Sequence, residues 1–209
     1  MTVGFYDFKI SKEYKFILKG ELNLMKHKIY TGLEVSPIIA AAKDKNFDKA
    51  LQSNVSVIFL LGAKILSIKE QIEAAHKAGK YLFVHIDLAE GIGKDRFGIE
   101  FLARSGVDGI LSTKTSLIKA AKDFGLITVQ RFFIYDSQGV DNITEILPST
   151  GPDFVEMMPG VVGKVIKRFS RCGTPVIAGG LIETKQEVTG ALSNGAFAVS
   201  TGKEELWHL

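Results

Sequence analysis

The stretch Val176-Ile177-Ala178-Gly179-Gly180-Leu181, with the later stretch Ala198-Val199-Ser200-Thr201-Gly202, decides how the chain is interpreted. Each is a short apolar run that ends in small residues and is followed by a helix-like segment. Glycines at such an end let backbone N–H groups approach a ligand closely, and the N-terminus of the following helix adds partial positive charge. The two turns together therefore predict one composite site for an anion, most often a phosphate.

The same alternation of an apolar run with a helix-like segment repeats from residue 35 onward. Near-continuous apolar runs are typical of parallel strands that are buried on both faces. Eight such units in series favour an α/β fold, a single TIM-like (β/α)8 barrel, over an open doubly wound sheet, which stays the alternative. The predicted strands are 35–41, 55–61, 81–87, 108–111, 126–135, 153–158, 175–178 and 196–200.

Residues 1–28 differ from the rest, since 5–24 mixes aromatic residues and lysines without a clean helix or strand period. Lys19-Gly20-Glu21 can be encoded by a purine-rich ribosome-binding sequence upstream of Met25. We therefore hypothesise that translation begins at Met25 and that residues 1–24 are not native. The alternative is a native N-terminal arm that is weakly ordered. The predicted organisation is an N-terminal extension, 1–28, and one barrel domain, 32–209.

Composition narrows the function classes. The 209 residues are 46% hydrophobic and 23% charged, and no apolar run or leader sequence predicts a membrane protein, so we expect a cytoplasmic one. The single Cys172 excludes an intrachain disulfide. Four histidines and one cysteine without ligand spacing predict no metal site and no cofactor. A net charge of +3 permits nucleic-acid or phosphate binding without requiring it.

Two pairs of polar residues interrupt the predicted strands. His85 and Asp87 alternate by two, so they are predicted to share the inner face of a strand, either for acid–base work and polyol binding or as an internal polar pair. Arg131 in a buried strand requires an anion, which is either a ligand phosphate or Glu156 on the next strand. An ion pair between Arg131 and Glu156 that lines a pocket would serve both purposes.

Other catalytic groups are missing from the pattern. An aldolase of this fold needs a Schiff-base lysine inside a strand, whereas Lys43, Lys64 and Lys114 lie in predicted turns. There is no cysteine nucleophile and no carboxylate cluster with metal spacing. The predicted site is therefore suited to binding rather than to catalysis.

The helix predicted over residues 160–171 carries two stripes at helical spacing. Four cations on its exposed face would contact a nucleic-acid backbone, although a solvated barrel helix often has such a face. The inward stripe is Val162, Val165, Ile166 and Phe169, and the cationic stripe is Lys164, Lys167, Arg168 and Arg171.

Six segments together resemble the glycerol uptake operon antiterminator regulatory proteins, in order, over about residues 33–209. The set is specific, although each segment alone is weak. Ala89 and Tyr135 depart from the family's usual residues, and neither touches the predicted phosphate turns. The segments are VHIDLAEG at 84–91, GILST at 109–113, QRFFIYDS at 130–137, PDFVEMMPG at 152–160, IAGGLI at 177–182 and AVST at 198–201, and the resemblance closes with Leu206-Trp207.

The resemblance implies a barrel that binds the effector glycerol 3-phosphate and then binds the leader mRNA of a glycerol operon, preventing premature termination. It implies no catalytic residue. By carry-over, Gly179, Gly180, Ser200 and Thr201 would hold the phosphate, and His85, Asp87, Arg131 and Glu156 would line the pocket. The alternatives are a sugar-phosphate isomerase or epimerase that uses His85 and Glu156, and a ligand-binding barrel without an RNA role. Whether the protein forms a homo-oligomer is left open.

Overall fold

Eight apolar runs form parallel strands that close into a barrel. The computed structural model describes the backbone of residues 12–209 and the side chains from residue 20 onward. Each strand pairs with the next one along the chain, and β1 pairs with β8, so the sheet has no free edge. The prediction of a single (β/α)8 barrel is confirmed. The strands are β1 Ile38–Ala42, β2 Val57–Leu60, β3 Tyr81–His85, β4 Gly109–Ser112, β5 Ile127–Phe133, β6 Phe154–Met158, β7 Val176–Gly179 and β8 Ala198–Thr201.

All the helices except the first surround this barrel, and their apolar faces pack on the outside of the strands. No helix within residues 12–209 has the length and apolar character needed to cross a membrane. Three 3-10 segments, Asp44–Asn46, Ile86–Leu88 and Glu204–His208, follow β1, β3 and β8. The helices are α1 Lys12–Val35, α2 Phe47–Gln52, α3 Ile68–Lys77, α4 Arg96–Ser105, α5 Thr115–Asp123, α6 Ser137–Thr150, α7 Gly163–Phe169 and α8 Lys185–Ser193.

Several predicted boundaries were wrong. Val35 belongs to the end of α1 and is exposed, so β1 begins only after Pro37. The chain leaves β3 at His85, which places Asp87 in a 3-10 turn rather than on a strand. The helix expected over 160–171 is shorter, Gly163–Phe169, and Arg171 follows it.

Alternate residues of the strands fill the barrel interior. Phe59 and Phe83 lie side by side there, with ring centroids 5.6 Å apart, and Phe154 is also buried. Because the side chains of a strand alternate between its two faces, the same alternation brings His85, Arg131, Glu156 and Ser200 inward near the C-terminal ends of the strands. Apolar side chains thus fill the N-terminal part of the barrel interior, and polar side chains lie near its C-terminal end.

Helix α1 covers the N-terminal end of the barrel, which the sequence had not indicated. Ile29 and Leu33 are buried in the same cluster as the barrel interior. The ring of Tyr30 lies 4.9 Å from that of Phe154, and Lys26 forms an ion pair with Asp153 just before β6. Residues 12–24 are therefore helical, although no clean period was found there. The predicted division between 28 and 32 falls inside this helix, and the start at Met25 stays a hypothesis that an intact mass would test.

Removal of apolar side chains between α1 and the barrel should lower the free energy of unfolding. We expect Leu33→Ala to lower the free energy of unfolding by about 2–5 kcal/mol, because the side chain is only 1% exposed and leaves a cavity at the barrel end. Leu24→Ala on the same helix is the matched control, since Leu24 is 55% exposed and should cost less than about 0.5 kcal/mol. Urea denaturation measures both variants. Equal effects would contradict a sealing role for α1.

Candidate functional site

A cavity of about 510 Å³ opens at the C-terminal end of the barrel, where the site was expected. Its walls come from β1, β5, β6 and β8 and from the turns that follow β1, β2, β7 and β8. Arg131, Glu156, Gly180, Ser200 and Thr201 line it, so five of the eight predicted ligand residues meet there. His85, Asp87 and Gly179 do not belong to its wall.

The floor of the cavity is a buried ion pair. Arg131 on β5 and Glu156 on β6 are register partners, 7% and 0% exposed, and the Nε of Arg131 donates to Oε2 of Glu156 at 2.5 Å. Ser200 on β8 donates its hydroxyl to the other carboxylate oxygen of Glu156. The predicted ion pair is thus present, and it also faces the cavity. Because a guanidinium has five N–H donors, Arg131 keeps donors for a ligand.

The glycine turn after β7 has two different roles. A Cβ on Gly179 would overlap with Oε1 of Glu156 and would lie 2.7 Å from the Oγ of Ser200, so Gly179 makes room for the buried carboxylate. Gly180 has a φ of +75°, the left-handed region that favours glycine, and the backbone turns there into the cavity wall. Of the two glycines, only Gly180 lines the cavity.

The hydroxyl groups expected to donate to a phosphate are already used. Ser200 donates to Glu156, and Thr201 donates to the carbonyl oxygen of Ile182 at 2.7 Å. The Oγ1 of Thr201 also accepts a hydrogen bond from the backbone N–H of Lys203. In this structure both hydroxyls therefore hold the two turns together, and their contact with a phosphate stays a prediction.

The rim of the cavity carries lysines that were not predicted as site residues, and Glu183 and Glu204 line it as well. Lys43, Lys45 and Lys203 line the cavity, and all three are exposed. Lys203 lies 3.4 Å from a carboxylate oxygen of Glu183, whereas among the described side chains Lys43 and Lys45 form no ion pair. These two lysines after β1 are the cations best placed to meet an incoming anion.

His85 and Asp87 lie beside the cavity and not in it. The Nη1 of Arg131 lies 3.4 Å from Nδ1 of His85, and Nε2 of His85 lies 3.5 Å from Oδ2 of Asp87, too far for a normal hydrogen bond. Asp87 accepts hydrogen bonds from the hydroxyl of Ser112 and from the backbone N–H and hydroxyl of Thr113. His85 therefore supports Arg131 from behind, and Asp87 orders the turn after β4.

The environment of Asp87 favours its charged form. Burial raises the pKa of this carboxyl, but the nearby imidazole of His85 and the hydrogen bonds from Thr113 and Ser112 outweigh burial and hold the pKa well below its usual range. An aspartate with a depressed folded-state pKa stabilises the protein above its unfolded pKa of about 4, and this stabilisation is lost as the pH falls toward the folded value.

We expect Asp87→Ala to lower the free energy of unfolding by at least about 1.5 kcal/mol at neutral pH, since charge-assisted hydrogen bonds are lost. The difference in free energy of unfolding between this variant and the wild type should narrow below about pH 4, because the wild type loses the stabilisation by charged Asp87 there. Asp123→Ala removes an exposed ion pair with Arg96 and is the control, with an expected cost under about 1 kcal/mol. Denaturant unfolding across pH measures both, and a deficit that stays constant into acid would contradict the role.

The basic face of α7 is exposed and partly compensated. Lys164, Lys167 and Arg168 point away from a buried stripe of Val165, Ile166 and Phe169, as predicted. Arg171 is exposed just beyond the helix. Arg168 forms an ion pair of 2.8 Å with Asp141 on α6, so part of the charge of the stripe is neutralised within the protein. Within residues 12–209, no cluster of three or more His, Cys, Asp or Glu residues could hold a metal ion.

Comparison with known proteins identifies the family of this chain. The model of the family described as glycerol-3-phosphate responsive antiterminator matches residues 38–207, which include all eight strands. The chain belongs to this family. It is 36% identical over 180 residues to the uncharacterized protein YgcP of Escherichia coli, and the match covers 85% of this chain and 94% of that relative.

Solved structures support the same assignment for this antiterminator-family chain. The glycerol uptake operon antiterminator regulatory protein of Listeria monocytogenes has a TM-score of 0.78 at 32% identity, covering 82% of this chain and 95% of the other. An antiterminator-related protein of Thermotoga maritima has a TM-score of 0.73 at 35% identity, covering 81% and 96%. An epimerase of Clostridium perfringens, at 14% identity and a TM-score of 0.63 with 83% and 88% covered, shares the fold alone.

Proposed function

We propose that this protein is a transcription antiterminator that binds glycerol 3-phosphate in the cavity at the C-terminal end of its barrel. In the loaded state it binds the leader mRNA of a glycerol operon in the cytoplasm. The observation that carries the proposal is a cavity with a buried Arg131–Glu156 pair as its floor and lysines at its rim. Membership of the glycerol-3-phosphate responsive family supports the identity of the effector.

The two ends of glycerol 3-phosphate match two parts of the cavity. The phosphate takes the rim, where Lys43, Lys45 and Lys203 supply charge and the turns at Gly180 and Thr201 bring backbone close. The glycerol hydroxyls reach down to Arg131 and Glu156, a donor and an acceptor that a polyol can satisfy together. His85 and Asp87 support this floor and the neighbouring turn, and Gly179 supplies the space for Glu156.

The same geometry disfavours the isomerase or epimerase alternative. That mechanism needs His85 and Glu156 as acid and base on the substrate, within hydrogen-bond reach of it. His85 does not line the cavity, and both carboxylate oxygens of Glu156 already accept hydrogen bonds from Arg131 and Ser200. A carboxylate that already accepts one hydrogen bond on each oxygen keeps lone pairs for a ligand hydroxyl. The arrangement therefore supports effector binding rather than turnover.

Regulation requires that the effector bind one state of the protein better than another. The effector would contact turns after β1, β7 and β8, so its binding favours one arrangement of the loops at this end of the barrel. RNA affinity then rises with glycerol 3-phosphate, and effector affinity rises with RNA to the same degree. The cationic stripe Lys164, Lys167, Arg168 and Arg171 belongs to this proposal as a contact for the RNA backbone.

Fluorescence anisotropy with labelled leader RNA tests the proposal. We expect glycerol 3-phosphate to tighten binding, glycerol to leave it unchanged, and added salt to weaken it steeply. Leader RNA that binds no better than a scrambled RNA of equal length, with the effector present, would refute the RNA role. Turnover of triose or glycerol phosphates by the purified protein, lost in His85→Ala, would instead establish the enzyme alternative.

Calorimetric titration tests the effector site independently of RNA. We expect Lys43→Ala combined with Lys45→Ala to weaken glycerol 3-phosphate binding about tenfold or more, since charge-assisted contacts to a phosphate are lost. Lys69→Ala on α3 is the control, because this exposed lysine does not line the cavity and should leave the affinity unchanged. An unaltered affinity in the double variant would place the phosphate elsewhere.

A further inference from the structure

Two aromatic side chains at the end of β5 are exposed to solvent and stacked on each other. Phe133 is 44% exposed and Tyr135 is 88% exposed. Their ring centroids are 6.3 Å apart and the ring planes differ by 24°. Proteins usually bury aromatic rings, because each ring contributes a large apolar area, so an exposed stacked pair indicates a binding surface. The proposed effector cavity does not use either ring.

Cations border the aromatic pair. A second cavity, of about 460 Å³, lies between the turn after β5 and helix α7, and its wall includes Tyr135, Lys164 and Arg168. Two aspartates also belong to this region, but both have partners. Asp136, in the cavity wall, accepts a hydrogen bond from the backbone N–H of Gly139 at the start of α6, and Asp141 pairs with Arg168. Lys164 is exposed at the wall, and among the described side chains it forms no ion pair.

We infer that this surface, formed by Phe133, Tyr135, Lys164 and Arg168, holds an unpaired RNA base and its phosphate. The base stacks on the ring of Tyr135, which Phe133 supports from behind. Lys164 contacts the phosphate, together with the N–H donors of Arg168 that Asp141 leaves free. Aromatic stacking beside cations is how proteins recognise single-stranded nucleic acid. The inference rests on the proposed antiterminator function and assigns the part of the protein that reads the RNA.

The backbone connects this surface directly to the effector cavity. Phe133 lies two residues beyond Arg131 on β5, and the backbone N–H of Ile134 donates to the carbonyl oxygen of Met158 at 2.8 Å. Met158 lines the effector cavity. The N–H of Gly160, just before α7, donates to the carbonyl oxygen of Gly179 at 2.6 Å. Backbone hydrogen bonds therefore join the segments next to the effector cavity to the segments that carry the aromatic and basic residues.

Substitution of Tyr135 provides the test. With glycerol 3-phosphate present, we expect Tyr135→Ala to weaken binding of a single-stranded leader RNA at least fivefold, and Tyr135→Phe to keep wild-type affinity. Phe97→Ala is the matched control, since Phe97 is 78% exposed at the start of α4, on another side of the barrel, and its loss should leave RNA affinity unchanged. Glycerol 3-phosphate affinity should be the same in all three variants, since none of these rings lines that cavity.

A fluorescent variant distinguishes stacking from charge. Trp207 is buried, so the emission of Tyr135→Trp reports on the surface over a constant background. We expect an oligouridine probe and leader RNA to quench this emission, and polyglutamate to leave it unchanged. Equal quenching by polyglutamate would overturn the inference in favour of an acidic protein partner.

The two levels of the proposal fail in different ways. Wild-type affinity in Tyr135→Ala, with RNA binding still dependent on glycerol 3-phosphate, would overturn the surface assignment and leave the antiterminator function standing. An equal loss in Phe97→Ala would also overturn the assignment. Absence of effector-dependent RNA binding in the wild-type protein would overturn both.

Discussion

Arg131→Met is expected to destabilise the barrel by about 3–5 kcal/mol. The substitution leaves Glu156, which is 0% exposed, as a buried charge without its guanidinium partner, and one of its hydrogen bonds is lost. Breaking a buried pair on one side costs far more than the net stabilisation of the intact pair. Denaturant unfolding measures the effect. Arg104→Met, which removes an exposed ion pair with Glu100, is the control and should cost less than about 1 kcal/mol.

The double variant Arg131→Met with Glu156→Leu separates stability from function. Apolar residues of similar volume in place of a buried ion pair are often neutral or stabilising, so this variant should recover most of the lost free energy of unfolding. It should still fail to bind glycerol 3-phosphate in calorimetry, because the donor and the acceptor on the cavity floor are gone. Recovery of both the free energy of unfolding and glycerol 3-phosphate binding would show that the effector does not depend on the ion pair at the cavity floor.

The barrel could be predicted because its strands are short apolar runs that are repeatedly punctuated by glycine and by helical segments. Gly62, Gly79, Gly106, Gly125 and Gly195 all have positive φ, and each lies in a turn between a strand and a helix. Boundaries were less predictable. Val35 is apolar but ends a helix, and nothing local distinguishes it from the first residue of a strand.

Helix α1 was missed because its contacts are tertiary. Leu22, Met25, Ile29 and Leu33 pack against the barrel interior and follow one another at intervals of 3, 4 and 4 residues, which is a helical spacing. The aromatic residues and lysines between them obscured this pattern. This apolar stripe can be interpreted only once the barrel is known, because the stripe covers the open N-terminal end of the barrel.

Residues of the candidate site could be predicted only where a charged residue stood inside an apolar strand. Arg131 and Glu156 stood out as charges inside apolar strands, and their neighbouring register makes them partners. Lys45 and Lys203 are ordinary loop lysines in sequence, and only closure between β1 and β8 brings their segments to one cavity. The hydrogen bond from the hydroxyl of Thr201 to the carbonyl oxygen of Ile182 could not be inferred from sequence, because it depends on how the two turns meet.

The second prediction concerns Gly179 in the turn after β7. We expect Gly179→Ala to weaken glycerol 3-phosphate binding at least tenfold and to lower the free energy of unfolding by about 1–3 kcal/mol. The new Cβ would overlap with the buried carboxylate of Glu156 and crowd the hydroxyl of Ser200 at 2.7 Å. Neither neighbour can withdraw freely, because the carboxylate is held by Arg131 and the hydroxyl by the carboxylate.

Gly190→Ala on α8 is the matched control for this glycine. No atom lies within 4 Å of a Cβ at Gly190, which is exposed in the middle of a helix, so alanine should stabilise the protein by about 0.5–1 kcal/mol and leave effector affinity unchanged. Thermal unfolding and calorimetric titration on both variants separate a general glycine effect from a local one. If Gly179→Ala binds glycerol 3-phosphate as tightly as wild type, the floor built by Glu156 does not contact the effector. The turn after β7 would then bind the phosphate without help from Glu156.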